Sequence, residues 1–341
     1  MLAVLAALPV LGGCLSFHRG AMPGEPASAR FAQIDGTRVR FVDEGEGPAV
    51  VMLHGFASSL ETWAAVMPEV RARHRVLALD LRGFGWTDRP DGDYSPEAQA
   101  RLVLALMDEQ GIERAAFVAH SFGASVALAI ALIAPERVTR VALYDAWVYS
   151  SQLPTFFHMA RAEGVGEALF SIWYGERTED RIALAFHDRS YVTQALVDDV
   201  QRALERPGTY AAALASVRAM HYEAQQARYA EIEQPALLMW GREDRVTPVS
   251  IGERLARDLP GARLVVYPGC GHFPMIEHAR QSTRELVRFL EADLAGQEPA
   301  RATSSVSGVS TSGGEAAPIA DRPIAEEQPT PDEARGAGEA P

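Results

Sequence analysis

The sequence predicts an α/β fold, a mostly parallel β-sheet covered by helices on both faces, with an inserted helical cap. Short apolar runs alternate with longer helical stretches along most of the chain, and this alternation is typical of parallel sheets between two helix layers. Strand signals stop between about residues 147 and 229, where aromatic-rich helical stretches replace them. With 341 residues, 48% of them hydrophobic, the chain can bury a core of this size.

Polarity patterns and turn residues mark the individual strands and helices. A hairpin is expected where two runs of alternating polarity flank Asp35-Gly36. Ser95 and Pro96 are typical of a helix start, and Gly111 is typical of a helix end. The predicted strands are 31–34, 37–43, 48–53, 75–80, 115–119, 138–144, 236–240 and 263–267, and the predicted helices include 60–70, 96–110, 123–134, 250–259 and 279–294.

Ser121 lies at the corner between strand 115–119 and helix 123–134. The local sequence is Ala119-His120-Ser121-Phe122-Gly123, in which alanine replaces the first glycine of the G-x-S-x-G nucleophile motif. A hydroxyl at such a corner projects from the carboxyl end of the sheet, and the helix N-terminus behind it stabilises negative charge. The pattern predicts a nucleophilic serine, although five residues alone also fit a buried helix with an incidental serine near its start.

Two further polar residues follow later strands. Asp244 comes after strand 236–240 and His272 after strand 263–267, so both are expected at the sheet edge that carries Ser121. His272 would take the proton of Ser121, and Asp244 would orient and stabilise the imidazole. Asp145 also ends a strand and is the alternative candidate for the acid.

With these three residues in the order Ser, Asp, His, the chain resembles the α/β-hydrolase superfamily, specifically its cofactor-free serine hydrolases with a helical cap. The resemblance covers about residues 31–294. It includes residues 80–88, which are similar to the family's D-x-R-G-x-G-x-S-D loop with Thr87 in place of serine, and residues 241–245, which are similar to its acid turn.

This resemblance implies a second part of the site. In this fold the loop His54-Gly55-Phe56 lies beside the nucleophile, so the backbone N–H groups of Phe56 and Phe122 are expected to form an oxyanion hole. The resemblance also implies that no cofactor takes part. Serine at position 121 argues against haloalkane dehalogenases and epoxide hydrolases, which use aspartate there.

Composition excludes other chemistries. The chain has no lysine, which excludes lysine Schiff-base chemistry and the lysine of a phosphate-binding P-loop. The formal net charge of −13 and the absence of a basic run argue against nucleic-acid binding. His54, His120 and His272 lack the sequence spacing of a metal site, so no metal is expected.

The cap and the C-terminal end differ from the rest of the chain in composition. Most cap aromatics are expected to form the cap's own core, while some line an apolar pocket over the nucleophile. The α/β domain is expected to end at residue 295. Residues 296–341 are rich in Pro, Gly, Ala, Ser, Thr and acidic residues without periodicity, and this predicts a disordered tail.

The N-terminal residues resemble a bacterial export signal. An apolar run precedes Leu11-Gly12-Gly13-Cys14, which is similar to a lipobox whose cysteine becomes lipidated, although no basic residue precedes the run. Residues 1–14 are therefore predicted to be a lipoprotein-type signal and residues 15–30 a flexible tether. Lipidated Cys14 would attach the protein to a membrane of the cell envelope, the outer membrane in a two-membrane bacterium. The alternative is an uncleaved apolar leader. Cys270, the other cysteine, is expected to be a free, mostly buried thiol.

The expected function is hydrolysis of a small to medium apolar carboxylic ester through an acyl-enzyme. A C–C bond hydrolase acting on vinylogous diketones and a cofactor-free perhydrolase share the same residues and remain alternatives, because pocket shape and not the triad sets specificity. A non-catalytic ligand-binding protein of this fold is a further alternative.

Overall fold

The computed structural model describes residues 15–173 and 177–292. One eight-stranded sheet runs through these residues in the order β1-β2-β4-β3-β5-β6-β7-β8. The strands are β1 Arg30–Ile34, β2 Thr37–Glu44, β3 Ala49–Leu53, β4 Arg75–Leu79, β5 Ala115–His120, β6 Val138–Tyr144, β7 Ala236–Gly241 and β8 Arg263–Tyr267. The predicted α/β fold and mostly parallel sheet are confirmed.

Strand direction places the ends of β5 to β8 at one edge. β1 and β2 pair antiparallel, as do β2 and β4, whereas β4, β3, β5, β6, β7 and β8 are mutually parallel. The residues that follow β5, β6, β7 and β8 therefore meet at the same edge of the sheet, which is where parallel sheets carry their sites.

Alternate residues of the buried strands enter two separate cores. Val51 and Leu53 of β3 belong to one apolar cluster, while Val50 and Met52 belong to the other. Side chains alternate along a strand with period two, so a strand buried on both faces reads as a continuous apolar run.

Helices cover both faces of the sheet. Those outside the cap are α1 Met67–Val70, α2 Pro96–Glu109, α3 Phe122–Ile133, α10 Val249–Asp258, α11 Pro274–Glu277 and α12 Ala279–Glu291. Ser95 caps α2 by accepting a hydrogen bond from Ala98 N–H. The helix predicted over 60–70 divides into the 3₁₀ turn Leu60–Trp63 and α1, because Pro68 has no N–H with which to continue a helix from the preceding turn.

Between β6 and β7 the chain forms a helical layer, here called the cap. Its helices are α4 Thr155–Ala160, α5 Val165–Trp173, α6 Thr178–Ala185, α7 Gln194–Leu204, α8 Thr209–Ala219 and α9 Glu223–Gln226. Arg218 on α8 forms a two-point ion pair with Glu167 on α5, at 2.8 and 2.9 Å. At its end the cap returns to the sheet layer through Gln225, whose Nε2 donates to Ser125 O on α3 at 2.9 Å.

Residues 15–30 lie against the domain, which differs from the flexible tether that their composition predicts. Gly20 N–H donates to Asp88 Oδ1 at 2.8 Å, and Glu25 pairs with Arg38. Met22 is buried. These partners are distant in sequence, so the Gly, Pro, Ala and Ser content of the segment gives no sign of them. The predicted signal 1–14 and tail 296–341 lie outside the described residues.

Candidate active site

Ser121 occupies a strained corner between β5 and α3. Its φ and ψ are 51° and −119°, a conformation that costs a non-glycine residue free energy and is found at functional turns. The corner is tight: a Cβ on Gly123 would lie 2.5 Å from His54 O. Glycine is therefore required at 123, whereas Ala119 fits at the position where the motif has glycine.

His272 and Asp244 form a hydrogen-bonded pair at the carboxyl ends of β8 and β7. His272 Nδ1 lies 2.8 Å from Asp244 Oδ2, and both residues are buried. This contact fixes the tautomer with Nδ1 protonated and leaves Nε2 to accept a proton.

Asp244 is held as an anion by four hydrogen bonds. Besides His272, the backbone N–H groups of Val246 and Thr247 donate to Oδ1 at 2.7 and 3.0 Å, and Thr247 Oγ1 donates to Oδ2 at 2.6 Å. Burial favours the neutral acid, but the charge of His272 and these hydrogen bonds lower the pKa of Asp244 to about 2. Asp244 therefore carries a negative charge at neutral pH.

His120 links Ser121 to the His272 loop. The His120 ring lies 4.7 Å from the His272 ring, centroid to centroid, and its Nε2 is 2.9 Å from His272 O. Burial and the neighbouring His272 lower the pKa of His120 well below its usual value, so it is neutral. In the structure no hydrogen bond connects Ser121 Oγ with His272; such contacts often tighten only when substrate binds.

The loop at Phe56 lies against the Ser121 corner. A Cβ on Gly55 would lie 2.9 Å from His120 Nδ1 and 3.1 Å from Ser121 Cβ, so a larger residue would push this loop or the Ser121 corner out of place. Phe122 is the first residue of α3, and its N–H has no acceptor within the helix. Both candidate oxyanion donors therefore belong to segments that adjoin Ser121.

Two contacts between the cap and the His272 loop have no counterpart in the sequence patterns. His272 N–H donates to Ala185 O, at the end of α6, at 2.7 Å. Glu277 accepts from the backbone N–H groups of His187 and Asp188 at 2.9 Å each, and from Gly271 N–H at 2.7 Å. Glu277 was missed because its partners His187 and Asp188 lie far away in the sequence. Thr247, by contrast, contacts Asp244 from only three residues further along the chain, and this spacing is a local signal that could have found it.

Asp145, the alternative acid, lies close to the pair without a hydrogen bond to His272. Potential ligand atoms of Asp145, Asp244 and His272 all lie within 4.8 Å of one another. Carboxylates and imidazole are metal-binding groups, so this set can in principle hold a cation. A cation bound to His272 Nδ1 would replace the hydrogen bond between His272 and Asp244. Because that hydrogen bond is present at 2.8 Å, the geometry favours an acid–base pair over a metal site.

Aromatic rings connect the Ser121 corner with the cap. Phe84 contacts Phe122 and Phe56, with centroids 6.3 and 5.5 Å apart, and Phe56 contacts Phe157 on α4 at 5.6 Å. Trp147 stacks on Phe157. The side of the Ser121 corner that faces the cap is thus apolar, and Ser121 itself is only 3% exposed.

Of the two cysteines, only Cys270 lies within the described residues. Cys270 is free and fully buried, as expected, and burial raises the pKa of its thiol. Cys14 lies outside the described residues. Within the part of the chain that the structure describes, no helix is long and apolar enough to cross a membrane.

Comparisons with known proteins agree with this geometry. Residues 48–279 match the sequence model of a family described as alpha/beta hydrolase fold. A 2-hydroxymuconate semialdehyde hydrolase of Pseudomonas sp. (strain CF600) is 31% identical over 276 residues, covering 76% of this chain and 93% of the relative.

Solved structures of related enzymes match most of this chain as well. A meta-cleavage product hydrolase from Pseudomonas fluorescens IP01 is 27% identical with a TM-score of 0.65, covering 76% of this chain and 97% of that one. An N-acyl homoserine lactone degrading enzyme is 25% identical with a TM-score of 0.65, covering 76% of this chain and 100% of that one.

Proposed function

The chain belongs to the alpha/beta hydrolase fold family, and on that premise we propose that it is a serine hydrolase that cleaves carboxylic esters through Ser121, His272 and Asp244. One observation carries the proposal: the 2.8 Å contact between His272 Nδ1 and Asp244 Oδ2 stands at the sheet edge where Ser121 occupies its strained corner. A weakly nucleophilic hydroxyl needs such a paired base for acyl transfer.

The proposed mechanism follows from these groups. Ser121 Oγ attacks the ester carbonyl while His272 Nε2 takes the hydroxyl proton, and the Asp244 anion stabilises the imidazolium that forms. His272 then returns the proton to the leaving alkoxide, which leaves Ser121 acylated. Water then attacks the acyl carbon while His272 Nε2 takes its proton, and His272 returns that proton to Ser121 Oγ as the acid is released.

The oxyanion of each tetrahedral intermediate is assigned to the backbone N–H groups of Phe56 and Phe122. The location of Phe122 at the first position of α3 adds the positive end of the helix dipole. Fixed donors of this kind stabilise charge that develops in the transition state more than charge in the ground state.

The aromatic surroundings favour an apolar acyl group. Phe56, Phe84 and Phe157 form a continuous set of ring contacts beside the nucleophile, and apolar lining selects apolar groups by burying their surface. Carboxylic esters with small to medium acyl chains are the proposed substrates.

The second candidate is hydrolysis of a C–C bond. It is favoured by the relatives at 31% identity, whose names state hydrolysis of 2-hydroxymuconate semialdehyde and of 2-hydroxy-6-oxo-2,4-heptadienoate. Such substrates carry ketone or aldehyde and carboxylate groups, so a site for them needs a partner for an anion.

A substrate panel with a covalent label tests both candidates. p-Nitrophenyl esters of graded acyl length are assayed beside a 2-hydroxy-6-oxo-dienoate, and fluorophosphonate labelling is mapped by mass spectrometry. Labelling at Ser121 with ester turnover supports the proposal, and labelling with dienoate turnover alone moves the assignment to the second candidate. Absence of both labelling and turnover would favour a non-catalytic binding protein.

We further propose that Cys14 is lipidated and attaches the protein to a membrane of the cell envelope. The support is Leu11-Gly12-Gly13-Cys14 together with the apolar run before it. Two acyl chains on one cysteine suffice for stable attachment. Cys14→Ser should release the protein from the membrane fraction, abolish palmitate labelling and leave ester turnover unchanged. Membrane association that persists in the variant would indicate an uncleaved leader.

A further inference from the structure

Asp145 is a buried carboxyl group that the proposed mechanism does not use. It follows β6 directly, is fully buried and has φ of 42°, a conformation that is rare for a residue other than glycine. Buried acids are uncommon, and strained backbone at a buried polar residue is typical of functional sites. Packing alone does not account for an aspartate here.

The hydrogen bonds around the two aspartates are very unequal. Asp244 accepts four, as described above, whereas Asp145 accepts one side-chain hydrogen bond, from Gly241 N–H to Oδ1 at 2.9 Å. Asp145 Oδ2 is buried and has no hydrogen-bond partner in the structure. A buried carboxylate anion needs several donors, so the hydrogen bonds place the negative charge on Asp244.

The charged neighbours act in the same direction. Burial first, and then the negative charge of Asp244, raise the pKa of Asp145 well above its usual value. Two carboxyl groups this close in a buried site do not both ionise. The titratable groups that face Asp145 from the surrounding elements are Tyr144, Asp244, Tyr267, Cys270, His272 and Glu277.

We propose that Asp145 and Asp244 together carry a single negative charge behind His272, with Asp145 as the protonated partner whose hydroxyl donates towards the Asp244 carboxylate. Asp145 is thus a positioning residue that acts on His272 through Asp244. Removing the charge of Asp244 lets Asp145 release its proton to solvent and supply the anion instead. This inference rests on the proposed serine hydrolase function.

Asp145→Asn tests the charge state, because asparagine has the shape of the protonated acid. Its carbonyl oxygen can accept from Gly241 N–H and its amide can donate to Asp244. We expect fluorophosphonate labelling within about twofold of the wild-type rate and an unchanged pH profile. A loss of tenfold or more, or a shifted pH profile, would mean that Asp145 is ionised in the wild type and would overturn the proposal.

The double variant tests the shared charge. Asp244→Asn should keep part of its labelling rate, and that rate should rise with pH as Asp145 ionises. Adding Asp145→Asn should then cost a further ~10-fold or more and remove the additional rise with pH that Asp145 ionisation causes, although the same change is silent in the wild type. If Asp145→Asn has the same small effect in both backgrounds, the two residues do not share a charge.

Stability provides a readout that does not depend on activity. The unfolded chain releases the Asp145 proton from about pH 4 upwards, whereas the folded protein retains it. Rising pH therefore lowers the free energy of unfolding of the wild type relative to that of a variant in which residue 145 does not titrate. In urea unfolding, the stability of Asp145→Asn relative to wild type should increase as the pH rises above about 4. A difference that stays constant with pH contradicts the proposal.

The two arms separate the possible failures. A wild-type protein that is neither labelled nor active defeats the proposed function, while the unfolding measurement still decides the charge state of Asp145. If Asp244→Asn does not fold, the pH dependence of the single Asp145→Asn variant remains the test. Normal labelling with a flat stability difference would defeat the Asp145 inference alone.

Discussion

The sheet layer and the cap place their side chains in different ways. At the sheet edge Ser121, Asp244 and His272 are 3–5% exposed and are fixed by strained backbone and hydrogen bonds. In the cap, by contrast, large apolar side chains such as Met159, Ile172 and Leu184 are about half exposed, at 51%, 54% and 49%.

The difference indicates a division of roles. Chemistry requires groups held within fractions of an ångström, and short loops between buried parallel strands provide this. Substrate choice depends on the shape of an apolar surface, which a layer of short helices can change without moving the sheet. The contacts of Ala185 and Glu277 with the His272 loop are the places where the two regions meet.

The largest effect is expected from removal of the nucleophile or base in the sheet layer. Ser121→Ala and His272→Ala should each lower ester hydrolysis on the order of 10³-fold or more, because the two residues act as one unit. Initial rates on the preferred p-nitrophenyl ester measure this. The double variant should be scarcely slower than either single one, and a variant lacking Ser121 that keeps its rate contradicts the mechanism.

An intermediate effect is expected where the cap meets the sheet layer. Glu277→Ala removes the carboxylate that accepts three hydrogen bonds, from the backbone N–H groups of His187, Asp188 and Gly271. Because these bonds connect the cap with the His272 loop, His272 should lose its fixed position. We expect kcat to fall about 10-fold with a smaller change in KM.

Glu277→Gln should recover part of this loss, since one carbonyl oxygen remains. Glu285→Ala is the matched control: Glu285 lies on α12 and forms an ion pair with the exposed Arg263, and its loss should leave kcat unchanged. If the two alanine variants lower kcat equally, the hydrogen bonds of Glu277 between the cap and the His272 loop do not position His272.

A smaller and more selective effect is expected in the cap itself. Phe157→Ala removes the ring that contacts Phe56 and Trp147. We expect the ratio of kcat/KM for a hexanoyl ester to that for an acetyl ester to fall about 10-fold.

Phe170→Ala is the control for cap stability, because Phe170 is buried in the cap and stacks on Phe156. It should lower the melting temperature and leave the acyl-length preference as it was. If Phe157→Ala and Phe170→Ala change the acyl-length preference equally, Phe157 does not contact the acyl group of the substrate.

The smallest effect is expected at the partly exposed ion pairs of the cap. Arg218→Ala breaks the ion pair with Glu167, whose side chains are 32% and 28% exposed, and should lower the free energy of unfolding by about 1 kcal/mol or less. The hydrolysis rate should not change. Arg228→Ala, which breaks the more exposed pair with Glu231, should have even less effect, and urea unfolding measures both.

The strands and the order of the site residues follow from the sequence because their signals are local. β3, β4 and β6 appear within a residue of their predicted bounds, since a run of apolar residues between turn residues marks a strand buried on both faces. Parallel pairing then brings the residues after β5, β7 and β8 to one edge. Ser121, Asp244 and His272 could therefore be predicted as neighbours from strand ends alone.

Only the tertiary structure determined the features that depend on distant partners. The packing of residues 15–30, the contacts of Glu277 with His187 and Asp188, and the closeness of Asp145 to Asp244 each join atoms that are far apart in the sequence. No local pattern encodes them, because hydrogen bonding and the shift of a buried pKa depend on which groups the fold places within a few ångströms. The chain order thus predicts the candidate triad, while the charge state of its acidic pair is a property of the folded protein.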